Sequence, residues 1–588
     1  MNLTKFLAVV DEETNRLSKE QLCAFLHEYA RILPETQREK FLFVLSQGSM
    51  TNPAKKSEVQ YRGEKAGMEK RLAVLKEKLD LIAEGEWCLD SDYSPEYDEW
   101  YNSDEEEFLF SDPKGIMKIL QEACELVHEC VDKEFYREGL ELAECLLALE
   151  IEVEGVYAEY DCGPLYLSDL NRAELFTYPL KILVKDAVFS AYQAVRLQDR
   201  AKEVYRILIN SECRDVTLQD LFQMGKQELK DWKMFLEKWI EHLSTKMSCF
   251  DQVLIVEAVD MLNDFQKEWD YARKYKENHP ELYEHLFYKK EYGNRQEDLL
   301  ELGKEALNEI RGESQVRSRI ALGLAELCSR NGKEKSVERC FLEAFRSDTT
   351  VVNFLRLYGE SREFSKYAAE VEKIYAALLQ GNRGKQKSSN PVFDFDSRKE
   401  NTYYMLAFFH KQFSVVLDKG MDTRESLGWS LTFMKQGLSL FLLYLYQGDT
   451  LQAGGREMCR RIVTESGFDT KKYNEGLVDK RTEESEVLFW ELFKKWKKEN
   501  TISGDEQIKL IDSMKNLVNK RVKGIMEGNH RKYYDECAAF VAALGEAEES
   551  LGKRNGKADL LLSYKQMYSR RSAFHGELRR FGMKDGKR

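Results

Sequence analysis

The stretch that most constrains the fold runs from Ser318 to Val351, where apolar and small residues recur every three or four positions on both sides of one turn. These residues are Ala321, Leu324, Ala325 and Cys328 before the turn, and Val337, Phe341, Ala344 and Phe345 after it. Such spacing predicts two helices packed antiparallel, joined by a turn at Asn331 and Gly332. One hairpin of this size cannot bury its own apolar face, so it requires neighbours.

The order of small and aromatic residues in this stretch resembles a tetratricopeptide repeat, a helix-turn-helix unit of about 34 residues. Similar spacing recurs at 134–149, 201–208 and 358–378. Elsewhere the sequence predicts helix after helix, so repeats of the HEAT kind and irregular helix pairs remain open. The resemblance implies stacked helix pairs, which form an extended surface suited to large or peptide partners.

The low proline content supports a helical chain, because only 8 of the 588 residues are proline and long helices are rarely interrupted. We therefore expect an all-α fold, a tetratricopeptide-like helical-repeat solenoid of antiparallel helix pairs in two lobes. The predicted regions are N-terminal helices at 1–85, an acidic aromatic insertion at 86–112, helical repeats at 113–380, a polar linker at 381–399, and a C-terminal helical region with a basic tail at 400–588.

The charge balance narrows the class of partner. A net charge of −14 at pH 7 argues against a general nucleic-acid coat or an anionic membrane as the main partner. No apolar run approaches the roughly 20 residues that cross a bilayer, and the most apolar one, Leu438 to Tyr446, predicts a buried helix. The N-terminal sequence lacks the apolar region of a secretory signal. We therefore expect a cytoplasmic protein with no membrane partner.

The segment from Glu84 to Pro113 is unusual because it has twelve acidic residues and no lysine or arginine. Its alternating acidic residues suggest an EF-hand calcium loop, but Pro95 stands at the glycine position and Tyr101 at the closing glutamate position. Aromatic side chains in a charged strip suit partner recognition. The predicted partner-binding residues are Trp87, Tyr93, Tyr97, Trp100 and Tyr101. The alternative is an insertion whose aromatic residues pack on adjacent helices.

Patterns typical of catalysis are scarce. The sequence has no serine-hydrolase elbow, HExxH helix, glycine-rich nucleotide loop or CxxC pair among its twelve cysteines, so we expect no enzyme activity, cofactor or metal. Arg570 and His575 resemble the Rx4H signature of HEPN ribonucleases, in which the two residues act on the scissile phosphate. Arg571 stands where that family prefers a polar residue. The alternative is that Arg570 and His575 have a structural role, in a terminal helix whose apolar side packs inward and whose arginines are solvated.

The last sixty residues resemble the C-terminal unit of uncharacterised bacterial helical-repeat proteins, some of which carry a SWIM zinc finger. The CxC and CxH pairs of that finger are absent. From Lys553 to Arg588 there are eleven basic and three acidic residues, a tail suited to RNA or an acidic partner. We expect a non-enzymatic intracellular scaffold or regulatory subunit that binds protein partners. The alternative is a HEPN-like ribonuclease or RNA-binding regulator acting through the basic tail.

Overall fold

The computed structural model describes residues 58–93, 108–159, 162–211, 213–222, 229–312, 314–383, 395–421 and 434–584, with the single positions 17, 25, 26, 29, 30 and 224. Within these residues the chain is mostly helical, as expected, with one small sheet. The chain forms two compact units, Met1–Phe235 and Leu236–Arg588. None of the helices in the described ranges has the length and apolar character that crossing a membrane requires.

The first unit is built around one central helix, α6. Its helices are α1 (Glu58–Ala83), α2 (Ile116–Asp132), α3 (Tyr136–Leu147), α4 (Val156–Glu159), α5 (Leu167–Arg172), α6 (Leu180–Ala194), α7 (Leu197–Asn210) and α8 (Leu218–Leu221). Helix α6 packs against α2, α3 and α7 and buries nine of its residues. Gly139 on α3 permits the close packing of α3 on α2, because a Cβ there would lie 2.9 Å from Cβ of Cys130.

A three-stranded sheet stands beside these helices, and the sequence analysis did not predict it. Strand β1 (Leu89–Tyr93) pairs antiparallel with β2 (Phe108–Ser111) and parallel with β3 (Val153–Gly155). Gly155 has a φ of +81°, and a Cβ there would lie 2.2 Å from the carbonyl oxygen of Ser91, so only glycine fits. The acidic insertion therefore begins and ends in strands.

The second unit contains most of the described helices, and the first of them begins at Trp232, just before the boundary after Phe235. Helix α9 (Trp232–Leu243) is followed by α10 (Cys249–Asp260), α11 (Phe265–Tyr275), α12 (Glu281–Tyr288), α13 (Gln296–Glu309), α14 (Gln315–Arg330), α15 (Glu334–Ser347), α16 (Val351–Glu360), α17 (Ala368–Arg383), α18 (Phe395–Phe409), α19 (Phe413–Met421), α20 (Met434–Leu445), α21 (Ala453–Ser466), α22 (Thr470–Tyr473), α23 (Ser485–Glu499), α24 (Gly504–Glu527), α25 (Tyr534–Ser550), α26 (Gly556–Met567) and α27 (Ser572–Arg580). One hydrophobic core extends from α14 to the residues after α27.

The hairpin predicted at 318–351 is confirmed as α14, a short turn and α15. Gly332 occupies the turn with a φ of +68°, a left-handed conformation that glycine adopts without strain. The residues predicted to face the partner helix are buried, among them Ala325, Phe341 and Ala344. The apolar run from Leu438 to Tyr446 is also buried, as expected, on and just after α20.

The boundary between the compact units differs from that between the predicted lobes. Most of the predicted linker, residues 384–394, lies outside the described residues. Helices α17 and α18 on either side of it share one core, and the rings of Tyr375 and Tyr403 stack with centroids 5.3 Å apart. The compact units divide instead between Phe235 and Leu236.

Helix α25 is the centre of the C-terminal core, because 14 of its 17 residues are buried. Its Glu546 is fully buried and accepts hydrogen bonds from the backbone N–H groups of Gly454 (2.9 Å) and Gly455 (2.7 Å) at the start of α21. The ammonium group of Lys557 lies 2.6 Å from the same carboxylate. A negative charge at a helix N-terminus is stabilising. Glu546 therefore joins α21, α25 and α26.

A second buried polar contact joins α16 to α22. The guanidinium of Arg356, 1% exposed, donates to the carbonyl oxygen of Tyr473 at 2.9 Å, and also to the carbonyl oxygen of Lys472 and to Oδ1 of Asn353. Burial lowers the pKa of Arg356 to about 10. The side chain therefore supplies a donor to the carbonyl group of Tyr473 and a second donor to that of Lys472, which also accepts from the backbone N–H of Glu475 at 3.2 Å.

His279 links α9 to the segment before α12. Its fully buried ring places Nδ1 2.7 Å from Oε1 of Glu281 and Nε2 3.1 Å from the carbonyl oxygen of Leu243. Both partners are acceptors, so both ring nitrogens donate only when the imidazole is protonated. Burial by itself lowers the pKa of His279, but the hydrogen bond and charge of Glu281 outweigh it, and the pKa is raised.

This contact predicts a pH-dependent stability. A raised folded-state pKa gives stabilisation that is fully present below the ordinary value of 6.5 and is lost as the pH rises through the folded-state pKa. We expect the melting temperature of the wild type to exceed that of His279→Gln most at about pH 6 and least at about pH 9. Circular dichroism melts at fixed ionic strength measure this difference. A difference independent of pH contradicts the protonated state.

Candidate functional site

The predicted partner-binding strip is only partly described. Trp87 lies half-buried in the turn between α1 and β1, and Tyr93 ends β1, where its backbone pairs with Phe108. Tyr97, Trp100 and Tyr101 lie outside the described residues. The structure therefore places two of the five residues near one end of the sheet, and their role in recognition stays a prediction.

The far end of the acidic insertion packs on its own unit. The rings of Phe108 and Phe110 meet Tyr157 edge-on, with centroids 5.1 and 5.5 Å away. Leu109, between them, points the other way and is exposed. These contacts match the alternative in which aromatic residues of the insertion pack on neighbouring elements, at least for β2.

The two residues of the HEPN-like pattern have different surroundings. Arg570 lies exposed in the turn before α27, whereas His575 is on α27 and only 9% exposed. The Nε2 atom of His575 lies 3.0 Å from the carbonyl oxygen of Tyr568 and donates to it. This hydrogen bond closes the turn between α26 and α27. It favours the structural alternative, and the ribonuclease hypothesis stays a prediction.

Part of the charge of the basic tail is already paired. Lys553 lies 2.7 Å from the buried Glu548, Lys557 pairs with Glu546, and Arg571 donates to the carbonyl oxygen of Met526 at 2.8 Å. Arg580 pairs with Glu577 of its own helix. Much of the tail's basic character is therefore used to hold α24, α25, α26 and α27 together.

A cluster of titratable groups at α10, α11 and α12 is also structural. The buried ammonium of Lys289 lies 2.9 Å from both Glu268 and Asp260, and His285 lies 2.9 Å from Asp260. The hydrogen bond from His285, together with Lys289, lowers the pKa of Asp260 to about 2. The groups neutralise one another, so the cluster offers little free charge to a ligand.

A candidate binding surface of the second unit lies along α13, α14, α15 and α17. Two adjoining cavities, of about 900 and 600 Å³, share the lining residues Leu307, Asn308, Arg317 and Arg346. We call the residues that line them the basic groove. Eight of the lining residues are basic and two are acidic, although the whole chain has more acidic than basic residues. The basic residues are Lys304, Arg311, Arg317, Lys333, Lys335, Arg339, Arg346 and Lys373.

Two of these cations form ion pairs with carboxylates of the protein itself. Arg317 lies 2.9 Å from Glu343, and Arg346 lies 2.6 Å from Glu370. The other six are exposed and form no ion pair with any residue that the structure describes. Between them lies an apolar floor of Leu300, Leu307, Ile310, Leu324, Ile374 and Ala377. The basic groove thus offers unpaired positive charge around a hydrophobic strip.

The basic groove also contains two thiols, Cys328 on α14 and Cys340 on α15. The thiol of Cys340 donates to Cys328 and, with Lys333 and Lys304 nearby, lowers the pKa of Cys328 to about 7. Burial instead raises the pKa of Cys124 and Cys459 to about 12. The lowered pKa favours the thiolate form of Cys328 relative to the buried thiols of Cys124 and Cys459.

Sequence reasoning did not find the basic groove. Lys333, Lys335 and Arg339 are close in sequence, but basic residues at the start of an exposed helix normally indicate a solvated face. Lys304, Arg311 and Lys373 lie on other segments and join them only in the folded chain. The available signal was a local excess of basic residues within the hairpin at 318–351, in a chain with net negative charge.

Comparisons with known proteins leave the function to be inferred from the chain itself. Neither protein-family models nor curated protein sequences match it.

Proposed function

We propose that this protein is a non-enzymatic, cytoplasmic helical-repeat scaffold or regulatory subunit, and that its second unit binds an acidic, extended segment of a partner protein. The observation that carries the proposal is the basic groove, where six exposed cations without carboxylate partners border an apolar floor. Acidic side chains of a peptide would pair with these cations while its apolar residues cover the floor.

The resemblance to tetratricopeptide repeats supports the same function. The helix pair α14 and α15 has the predicted spacing, and both helices line the groove together with α13 and α17. Stacked helix pairs form extended surfaces suited to peptide segments. The two cavities of the groove share lining residues and together follow parts of four helices, an arrangement that suits an extended segment.

An acidic peptide suits the groove better than RNA. Proteins that bind single-stranded nucleic acid usually stack the bases on aromatic side chains. The lining of the basic groove contains no aromatic residue.

The direct test is a charge reversal in the groove. Lys335 and Arg339 are exposed, lie four residues apart on α15, and have no described ion pair, so Lys335→Glu with Arg339→Glu should leave the fold intact. Titration with a synthetic glutamate-rich peptide carrying two leucines should show affinity at least about tenfold weaker for this variant. Fluorescence anisotropy measures the affinity, at low salt and at physiological salt.

The matched control reverses two exposed cations elsewhere in the second unit, Lys498→Glu with Lys509→Glu. This variant has the same net charge as the groove variant and should bind the peptide nearly as the wild type does. If both variants lose the same affinity for the peptide, the loss follows from the change in net charge. This result would contradict a local binding site. Tighter binding of RNA than of the peptide, lost when the exposed Arg554 and Arg570 are replaced by glutamate, would favour the alternative function.

A further inference from the structure

The two thiols of the basic groove form an unusual pair. Cys328 and Cys340 come from adjacent helices, line the same cavity of about 600 Å³, and interact through their thiol groups. Cys328 is 5% exposed and Cys340 is half-buried, and the cavity that both line opens a path for a small reagent. The described residues contain exposed cysteines too, at Cys162 and Cys249, but these line none of the groove.

The charges around the pair select the kind of reagent. Lys304, Lys333, Lys335 and Arg339 line the cavity with the thiols. A thiolate is the reactive form of cysteine, and positive charge favours it. The same cations attract an anionic molecule and repel a cationic one.

We propose that Cys328 and Cys340 form a dithiol site that exchanges with anionic low-molecular-weight disulfides entering the basic groove. The carboxylates of such a molecule would pair with the cations of α13 and α15 while its sulfur atoms approach Cys328. The site is independent of which partner the groove binds.

The chemistry is a two-step thiol–disulfide exchange. The thiolate of Cys328 attacks one sulfur of the small disulfide, its S–S bond breaks, and the leaving thiolate takes a proton from water. Cys340 then loses its proton to solvent and attacks Sγ of Cys328, which releases the second small thiol after proton uptake. The protein is oxidised by two electrons to a Cys328–Cys340 disulfide, and the small disulfide is reduced to two thiols.

Glutathione disulfide is the probe for the test, and mass spectrometry of non-reduced peptides is the readout. In the wild type we expect a Cys328–Cys340 disulfide to form before adducts appear on Cys162 or Cys249. Cystamine, a cationic disulfide, should react at least about tenfold more slowly. Lys335→Glu with Arg339→Glu should reduce or reverse this preference. Equal rates with both reagents, or adducts first on Cys162 and Cys249, would overturn the proposal.

Two variants of Cys340 separate its roles. Cys340→Ser keeps a hydroxyl donor beside Cys328, so it should form the mixed disulfide at a rate near that of the wild type and stop there. Cys340→Ala removes the donor, so it should react about tenfold more slowly at neutral pH, because less Cys328 is ionised. If the wild type also stops at the mixed disulfide, the two thiols do not act as a pair. If both variants react at the same rate, Cys340 does not activate Cys328, and that part of the proposal is wrong.

Discussion

Glu546→Ala should lower the free energy of unfolding of the second unit by roughly 3–5 kcal/mol. The carboxylate of Glu546 is fully buried and is the acceptor for the backbone N–H groups of Gly454 and Gly455 and for the ammonium of Lys557. Its removal leaves two buried donors and one half-buried cation without their partner, and an unmade buried hydrogen bond costs more than a made one contributes.

Urea unfolding followed by circular dichroism measures this loss. Glu546→Gln keeps the shape of the side chain but removes the charge, so we expect an intermediate loss of stability. Glu465→Ala is the matched control, because Glu465 lies exposed on α21 and has no described partner. A midpoint of Glu546→Ala equal to that of Glu465→Ala would show that α21 and α25 are held by apolar packing alone.

Arg356→Ala is expected to have the second large effect, a loss of roughly 3–5 kcal/mol. Arg356 donates hydrogen bonds to the carbonyl oxygens of Lys472 and Tyr473. Among the described residues, no other side chain donates to these two atoms. Without the guanidinium, the carbonyl group of Tyr473 loses its side-chain donor, that of Lys472 keeps the backbone N–H of Glu475, and a large cavity remains between α16 and α22.

Arg356→Lys distinguishes charge from geometry. Lysine keeps a cation but lacks the planar fork that reaches several acceptors at once, so we expect it to recover only a minor part of the stability. Arg554→Ala, at an exposed position without a described partner, serves as the control. Full recovery by lysine would mean that the positive charge alone holds α22 in place.

The helical hairpin at 315–347 could be predicted from sequence because its determinants are local. The spacing of Ala325, Phe341 and Ala344 follows the period of a helix, and Gly332 marks the turn with a conformation that other residues rarely adopt. The burial of the apolar residues 438–446 could also be predicted, from composition alone, because a helix that is apolar on all sides is buried in the protein.

The sheet could not be predicted in the same way. Strand β1, with the sequence Leu-Asp-Ser-Asp-Tyr, lacks the β-branched residues that mark strands. Its parallel partner β3 lies about sixty residues further along the chain, so no hairpin pattern connects them. The segment therefore resembled an acidic loop.

The basic groove and the position of His575 depend on tertiary packing. The unpaired cations lie on several segments of the second unit, and only the folded chain reveals which lysines and arginines have carboxylate partners. Arg317 and Lys335, for example, are both basic residues of the hairpin, yet only Arg317 is paired. Likewise, the Rx4H spacing of Arg570 and His575 does not reveal that the histidine bonds to the carbonyl of Tyr568.

Photo-cross-linking with the glutamate-rich peptide tests the central claim most directly. The peptide carries a photoreactive group, and mass spectrometry of the digested complex identifies the residues that it labels. We predict labels within 300–346 and 370–377, lost in the Lys335→Glu, Arg339→Glu variant and in the presence of excess unlabelled peptide. Labels confined to 86–112 or to 553–588 would contradict the account and assign recognition to the acidic insertion or to the basic tail.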